Sequence, residues 1–242
     1  MRVIALSAAA AALGLAAPAS AQVPIPGTGL SVSGEAELMS DYRFRGISRS
    51  DEDPAGQANV TLGHSSGLYV GTRATTLSGL DNFRLRDPQV QDLGDLELDL
   101  YAGYSADLGG GLTLDGGLMY YVFTGDVGQA DYAEPYVSLS YLLGPVEATA
   151  GAKYAPSQRG TGDEDMLYVF GELEAGIPFT PLTLRAHAGR QDWGRYGSYT
   201  NWSVGGSYSI GPAELGLRYV DTSLPSASGQ DAGVVVSLGL GF

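Results

Sequence analysis

The chain has 242 residues, with 27 acidic against 13 basic and a net charge of −14. That balance makes the chain a poor candidate for binding nucleic acid, or anionic lipid headgroups directly. With no cysteine, neither a disulfide framework nor a thiolate metal site can organise the fold. Its 36 glycines are about twice the usual share. Lacking Pro-rich tracts or a G-x-y period, they point to tight turns and crowded strand interiors, not to collagen or a linker.

In chain order, Met1-Arg2 gives a positive start, Val3 to Ala17 is a run of small and apolar residues, and Ala19-Ser20-Ala21 has the A-x-A form of a cleavage site. The run falls short of the roughly 20 residues a spanning helix needs. Residues 1–21 are therefore expected to be an export signal, and residues 22–242 a single β-domain. Losing the signal removes one Arg, leaving 12 basic against 27 acidic residues, net −15. No other stretch is apolar for long enough to cross a membrane as a helix.

Twelve alternating segments then follow, at about 31–44, 55–64, 67–76, 96–105, 111–123, 135–143, 145–155, 167–177, 181–190, 200–210, 213–221 and 232–242. The connections alternate between short Gly- or Pro-bearing turns, such as Gly144-Pro145 and Gly211-Pro212, and long polar loops, such as Gly46 to Pro54 and Leu77 to Asp95. Short turns on one rim and long loops on the other predict a transmembrane antiparallel up-and-down β-barrel of about twelve strands. A soluble sandwich has no such alternation. With both ends on the short-turn side the count is even, and ten or fourteen also satisfy it.

Parity assigns the faces. In the first segment Leu38, Tyr42 and Phe44 share one side, and Glu35, Glu37, Asp41 and Arg43 the other. Charges against hydrocarbon cost several kcal/mol near the midplane, so the charged side faces the lumen. Outward aromatics sort by height. Tyr42, Phe44, Tyr120, Tyr154, Trp202 and Tyr219 fall near the long-loop ends, and Tyr104, Tyr141, Tyr208 and Phe242 near the short-turn ends. Two aromatic bands suit two lipid–water interfaces. The last segment alternates Val234, Val236, Leu238 and Leu240 with small residues and ends on Phe242. This pattern resembles the signal by which bacterial outer-membrane barrels engage their assembly machinery.

Ser40-Asp41-Tyr42-Arg43-Phe44-Arg45-Gly46-Ile47-Ser48, with the acidic patch and Pro54 after it, resembles the opening strand and loop of the TorF-like porin family. Gly67 to Thr72 and Glu97 to Tyr104 resemble that family's next recurrent segments. The resemblance implies an outer-membrane location and a porin role; it brings no substrate and no catalytic residue.

The residues expected to line the pore are Arg43, Arg73, Lys153, Arg185 and Arg218, with Glu97, Asp99, Glu147 and Glu172 as counter-charges. On rising strands acids sit low and bases high, with Arg45 among the upper set. This predicts either a pore whose outer half favours small anions or zwitterions, or a network of ion pairs that fills a narrow interior. Eight strands leave a filled lumen and sixteen an aqueous channel, so twelve admits both. Asp51-Glu52-Asp53 and Asp163-Glu164-Asp165 are read as solvated outer-loop acids, since neither matches a calcium-loop pattern. Gly109 to Gly117 lacks the Lys and following helix of a phosphate loop. Of the two histidines, His64 falls in a short turn and His187 has lumen parity. A lipid hydrolase needs Ser and His together on the membrane-facing wall.

The expected protein is thus a non-enzymatic outer-membrane barrel that passes small polar solutes, with no cofactor and no metal. Its expected partners are outer-membrane lipid, lipopolysaccharide and the barrel-assembly machinery. The alternatives are a non-conducting structural or adhesive barrel acting through its acidic loops and, further off, a barrel lipid hydrolase.

Overall fold

The computed structural model describes residues 22–78, 93–125 and 130–241. Its strands are β1 (Val23–Ile25), β2 (Leu30–Met39), β3 (Arg43–Phe44), β4 (Ile47–Ser48), β5 (Ala55–His64), β6 (Leu68–Thr76), β7 (Leu96–Gly109), β8 (Leu112–Phe123), β9 (Tyr132–Leu143), β10 (Val146–Ala155), β11 (Met166–Gly176), β12 (Leu182–Asp192), β13 (Ser198–Ile210), β14 (Ala213–Thr222) and β15 (Gly233–Gly241). Leaving out the short β1, β3 and β4, each strand pairs antiparallel with its neighbour in sequence, and β15 returns to β2. The result is a closed twelve-stranded barrel. No α-helix occurs among the described residues. Residues 1–21, the expected export signal, lie outside them, as does most of the longest loop, including Asp81, Arg84, Arg86, Asp87 and Asp92.

Closure satisfies the backbone of every wall strand without an open edge. The join is its thinnest place: β15 meets β2 over Glu35–Met39 alone. Below that, β1 folds back along β2, Val23 opposite Val32 and Ile25 opposite Leu30, and covers Leu30 to Val32 of the stretch that β15 leaves unpaired. Ser40 extends the join upward, its N–H donating to the Val236 carbonyl at 2.9 Å.

Alternation along each strand sets which side chains go in. On β11, Met166, Tyr168 and Phe170 are buried, while Leu167, Val169 and Leu173 are exposed. The same rule turns Val60, Leu100, Leu118, Val204, Leu217 and Val236 outward, giving an apolar exterior. Tyr104, Tyr120, Tyr141, Tyr154, Trp202, Tyr208 and Tyr219 also stand outward, each between 37% and 50% exposed. Phe242 lies outside the described residues. Leu217 sits in mid-strand, opposite Gly206 and Val236. Leu217→Arg is expected to destabilise the protein by about 2–4 kcal/mol in a bilayer, the usual cost of an outward cation at the midplane. Urea unfolding in vesicles reads it, and a cost near zero would mean that this face does not meet lipid.

Many glycines lie on the inner face, where a ring from the adjacent strand covers them. A Cβ on Gly71 would sit 2.4 Å from the Tyr101 ring, on Gly103 2.3 Å from Tyr69, and on Gly151 2.5 Å from Phe170. Bare backbone there lets large rings lie flat on the wall.

The first wall strand differs from the sequence expectation. It ends at Met39, not 44, and while Asp51 to Pro54 stay exposed, residues 41–50 turn into the barrel. Within them β3 and β4 make a small hairpin, Arg43 opposite Ser48 and Phe44 opposite Ile47. Arg45 and Gly46 form its two-residue turn with φ of 50° and 88°, the all-positive combination that suits the twist of a hairpin. Gly46 is required sterically as well, since a Cβ would come within 2.5 Å of Thr222 Cγ2. Tyr42 and Phe44 are therefore not girdle residues. Tyr42 is 2% exposed, and the Phe44 ring packs edge-on against the inward-facing Tyr121 at 5.7 Å. The alternation that suggested a continued strand belongs to the hairpin.

Other long loops pack on one another. Trp193, after β12, donates from Nε1 to the Thr161 carbonyl at 2.7 Å, and Arg195 pairs with Glu164 at 3.2 Å. Asp165 accepts from Ser157 N at 2.7 Å and from Tyr154 Oη at 3.0 Å. Two acids of that cluster are thus engaged within the protein.

Candidate functional site

The inward segment is tied across the lumen by its arginines. Both carboxylate oxygens of Glu134 on β9 accept from Arg45 Nη2, at 2.7 and 2.6 Å, and Arg45 Nη1 donates to Gln191 Oε1 on β12 at 2.5 Å. Arg49 Nη1 donates to Glu97 Oε2 on β7 at 2.5 Å, and Tyr42 Oη donates to Glu97 Oε1 at 3.1 Å. Glu97 and Glu134 are fully buried. Rings complete the packing: the Arg49 guanidinium lies 3.6 Å from the centre of Phe44, and Arg45 lies 4.3 Å from that of Tyr168. Buried charge is tolerated where it is paired and hydrogen-bonded in this way.

The segment is also braced internally. Asp41 accepts from Arg43 Nε at 2.5 Å and from Ser48 Oγ at 2.6 Å, and Ser50 Oγ accepts from Tyr42 N at 2.9 Å. Arg43 reaches the far loop through the Asp231 carbonyl at 2.6 Å, and Glu52 accepts from Gly229 N at 3.1 Å. Arg43 is thus luminal, but it is carried by the hairpin and not by the wall.

The wall holds the remaining candidates. Arg73 on β6 pairs with Asp99 on β7, Nε to Oδ2 at 2.7 Å, with both side chains buried. Arg185 donates to Glu174 at 3.0 Å, to Glu214 at 2.9 Å and to Ser207 at 2.8 Å. Glu147 faces Glu174 across the β10–β11 pairing. Glu172 receives His187 Nδ1 at 3.0 Å, and His187 Nε2 lies 2.7 Å from Tyr168 Oη. That histidine is therefore held inside the barrel, away from the lipid-facing wall a lipid hydrolase would use. A further polar knot joins Tyr69, Tyr136 and Asp115, with Tyr69 Oη donating to Asp115 at 2.9 Å.

Between hairpin and wall lies a cavity of about 60 Å³ that opens to solvent. Arg43, Arg45, Arg73, Lys153 and Arg218 line it, with Glu172 the single carboxylate among the lining residues. Tyr168, Phe170, His187 and Asn201 form part of its wall. Sequence parity indicates the inward direction of Lys153, Arg218 and Glu172. It does not single out Arg49, Glu134 or Gln191, whose importance comes from the hairpin they hold. The signal available for the hairpin was Arg45-Gly46 between alternating flanks.

A closed antiparallel barrel of twelve strands, apolar outside and charged within, has the architecture of a porin. The chain belongs to the Gcw_chp family, bacterial proteins of unknown function, whose family model matches residues 25–236. No curated protein matches it. Among solved structures it is similar to a NanC porin, at 12% identity over 87% of this chain and 98% of that one, with a TM-score of 0.55. It is also similar to an outer membrane channel from Pseudomonas putida F1, at 12% identity over 94% of this chain and 99% of the other, with a TM-score of 0.48. At such identities the likeness is one of fold.

Proposed function

We propose that this chain is an outer-membrane porin through which small polar solutes diffuse passively, anions and zwitterions preferentially, and that residues 41–50 constrict the path. The observation that carries this reading is a greasy closed wall around a charged interior that stays continuous with solvent beside the hairpin. The resemblance of Ser40 to Ser48 to TorF-like porins supports it, as does the fold shared with a NanC porin. The lumenal chemistry is non-covalent: fixed guanidiniums and one ammonium set the potential met by a passing solute. Lipid and lipopolysaccharide would surround the wall, and the terminal strand would be read by the assembly machinery.

A second reading, a structural or adhesive barrel with a closed lumen, is favoured by one observation: the hairpin is locked by Arg45–Glu134 and Arg49–Glu97. Planar-bilayer recording separates the two. A channel gives discrete openings, and Arg218→Glu is expected to shift its reversal potential toward cations. Silence at every voltage would retire the porin.

A further inference from the structure

We infer that the chamber beneath the hairpin is a binding site for a small organic carboxylate, held by Lys153 and Asn201 against the Tyr168–Phe170 wall. This deepens the channel reading and rests on it for the route by which the anion enters.

Three of the lining cations have their own carboxylates, and those carboxylates do not line the chamber: Asp41 for Arg43, Glu134 for Arg45 and Asp99 for Arg73. Glu172, the lining acid, is occupied by His187. Lys153 is different. It is 6% exposed, and among the described residues it makes no hydrogen bond and no ion pair; the Phe170 face lies 5.8 Å from Nζ, and Glu134 and Glu172 act on it only from beyond ion-pair distance. An ammonium so buried with no anion in direct contact is under-compensated, and an arriving carboxylate would supply that contact.

Asn201 supplies the second point. It is 3% exposed, its Oδ1 accepts from Tyr168 Oη at 3.1 Å, and its Nδ2 is buried with no partner. One free ammonium and one free amide N–H₂ match a single negative charge shared by two oxygens, which is a carboxylate. A phosphate dianion would leave charge unmatched. The stacked rings of Tyr168 and Phe170, 5.8 Å apart and 17° from parallel, offer a flat apolar surface for the body of the molecule. Lipid headgroups lie on the other side of the wall.

Isothermal titration of the refolded full-length protein in detergent, with sodium benzoate as the probe, tests this site independently of conduction. Benzoate is expected to bind, and neutral benzyl alcohol and cationic benzylamine to bind at least about tenfold more weakly, as loss of a charge-assisted bond implies. Lys153→Met should weaken benzoate by about tenfold or more. Ser203→Asp, which adds a carboxylate to the lining and stands in should the first variant fail to fold, should do the same. No benzoate binding, equal binding of benzylamine, or indifference to both substitutions overturns the site. Binding without bilayer conductance would defeat the channel and spare the site; conductance without binding would do the reverse.

Discussion

Replacing residues 43–50 with a short Gly-Ser linker is expected to raise single-channel conductance several-fold, or to create discrete openings where the intact chain shows none. The hairpin occupies the upper lumen, tied to β7 and β9 on separate parts of the wall. A twelve-strand cylinder lies between the side-chain-filled eight-strand case and the water-filled sixteen-strand case, so one inserted hairpin decides which it resembles. The wall strands keep all their pairings without it. Glu97 and Glu134, deprived of Arg49 and Arg45, gain water in exchange. Glu134→Gln alone should act in the same direction more weakly, by loosening Arg45 and making the closed state less persistent. If the linker variant folds, judged by a mobility shift on boiling, and conducts no better than the parent, the hairpin is not the constriction.

Arg73→Met should destabilise the barrel by about 3–5 kcal/mol, the usual cost of leaving a buried charge without its partner. Asp99 is fully buried, and Arg73 is its ion-pair partner; its Oδ1 has no hydrogen-bond partner to fall back on. Urea titration in micelles would show a lower midpoint with an unchanged slope. Arg73→Met combined with Asp99→Leu should recover most of the loss, since replacing both members of a buried pair by apolar groups is often nearly neutral. A single variant as stable as the parent would mean that water reaches Asp99.

Most of the wall was legible in the sequence because period-two alternation is a local signal. β5 occupies 55–64 as expected, and β6, β8, β10, β11, β12, β13, β14 and β15 begin and end within two residues of their expected limits. The inward hairpin was not legible, for a physical reason. Tyr42 and Phe44 alternate with Asp41 and Arg43 just as a lipid-facing strand would, and β3 continues the period of β2 after a short break. Only the contacts distinguish the cases, and they join residues 55 and 89 positions apart, Tyr42 to Glu97 and Arg45 to Glu134. Glu134 was further hidden because β9 begins at Tyr132, three residues before the expected 135. Inward parity marked Lys153 as a luminal cation like the others; its lack of a partner is a property of the assembled lumen.

The glycine–ring contacts on the inner wall impose an order on how this sequence can drift. Gly71 and Tyr101, Gly103 and Tyr69, and Gly151 and Phe170 fit as hollow and lid. A methyl on Gly71 collides unless Tyr101 has already shrunk, whereas shrinking the ring first leaves only a void; at Gly103 and Gly151 a backbone carbonyl oxygen 2.9 Å away blocks the methyl even then. For Gly71 and Tyr101 the two steps are therefore not interchangeable: one mutational path stays viable and the other passes through a misfit. Homologous chains should accordingly exchange positions 71 and 101 jointly, ring lost before glycine, and keep Gly103 and Gly151 even where the ring is lost.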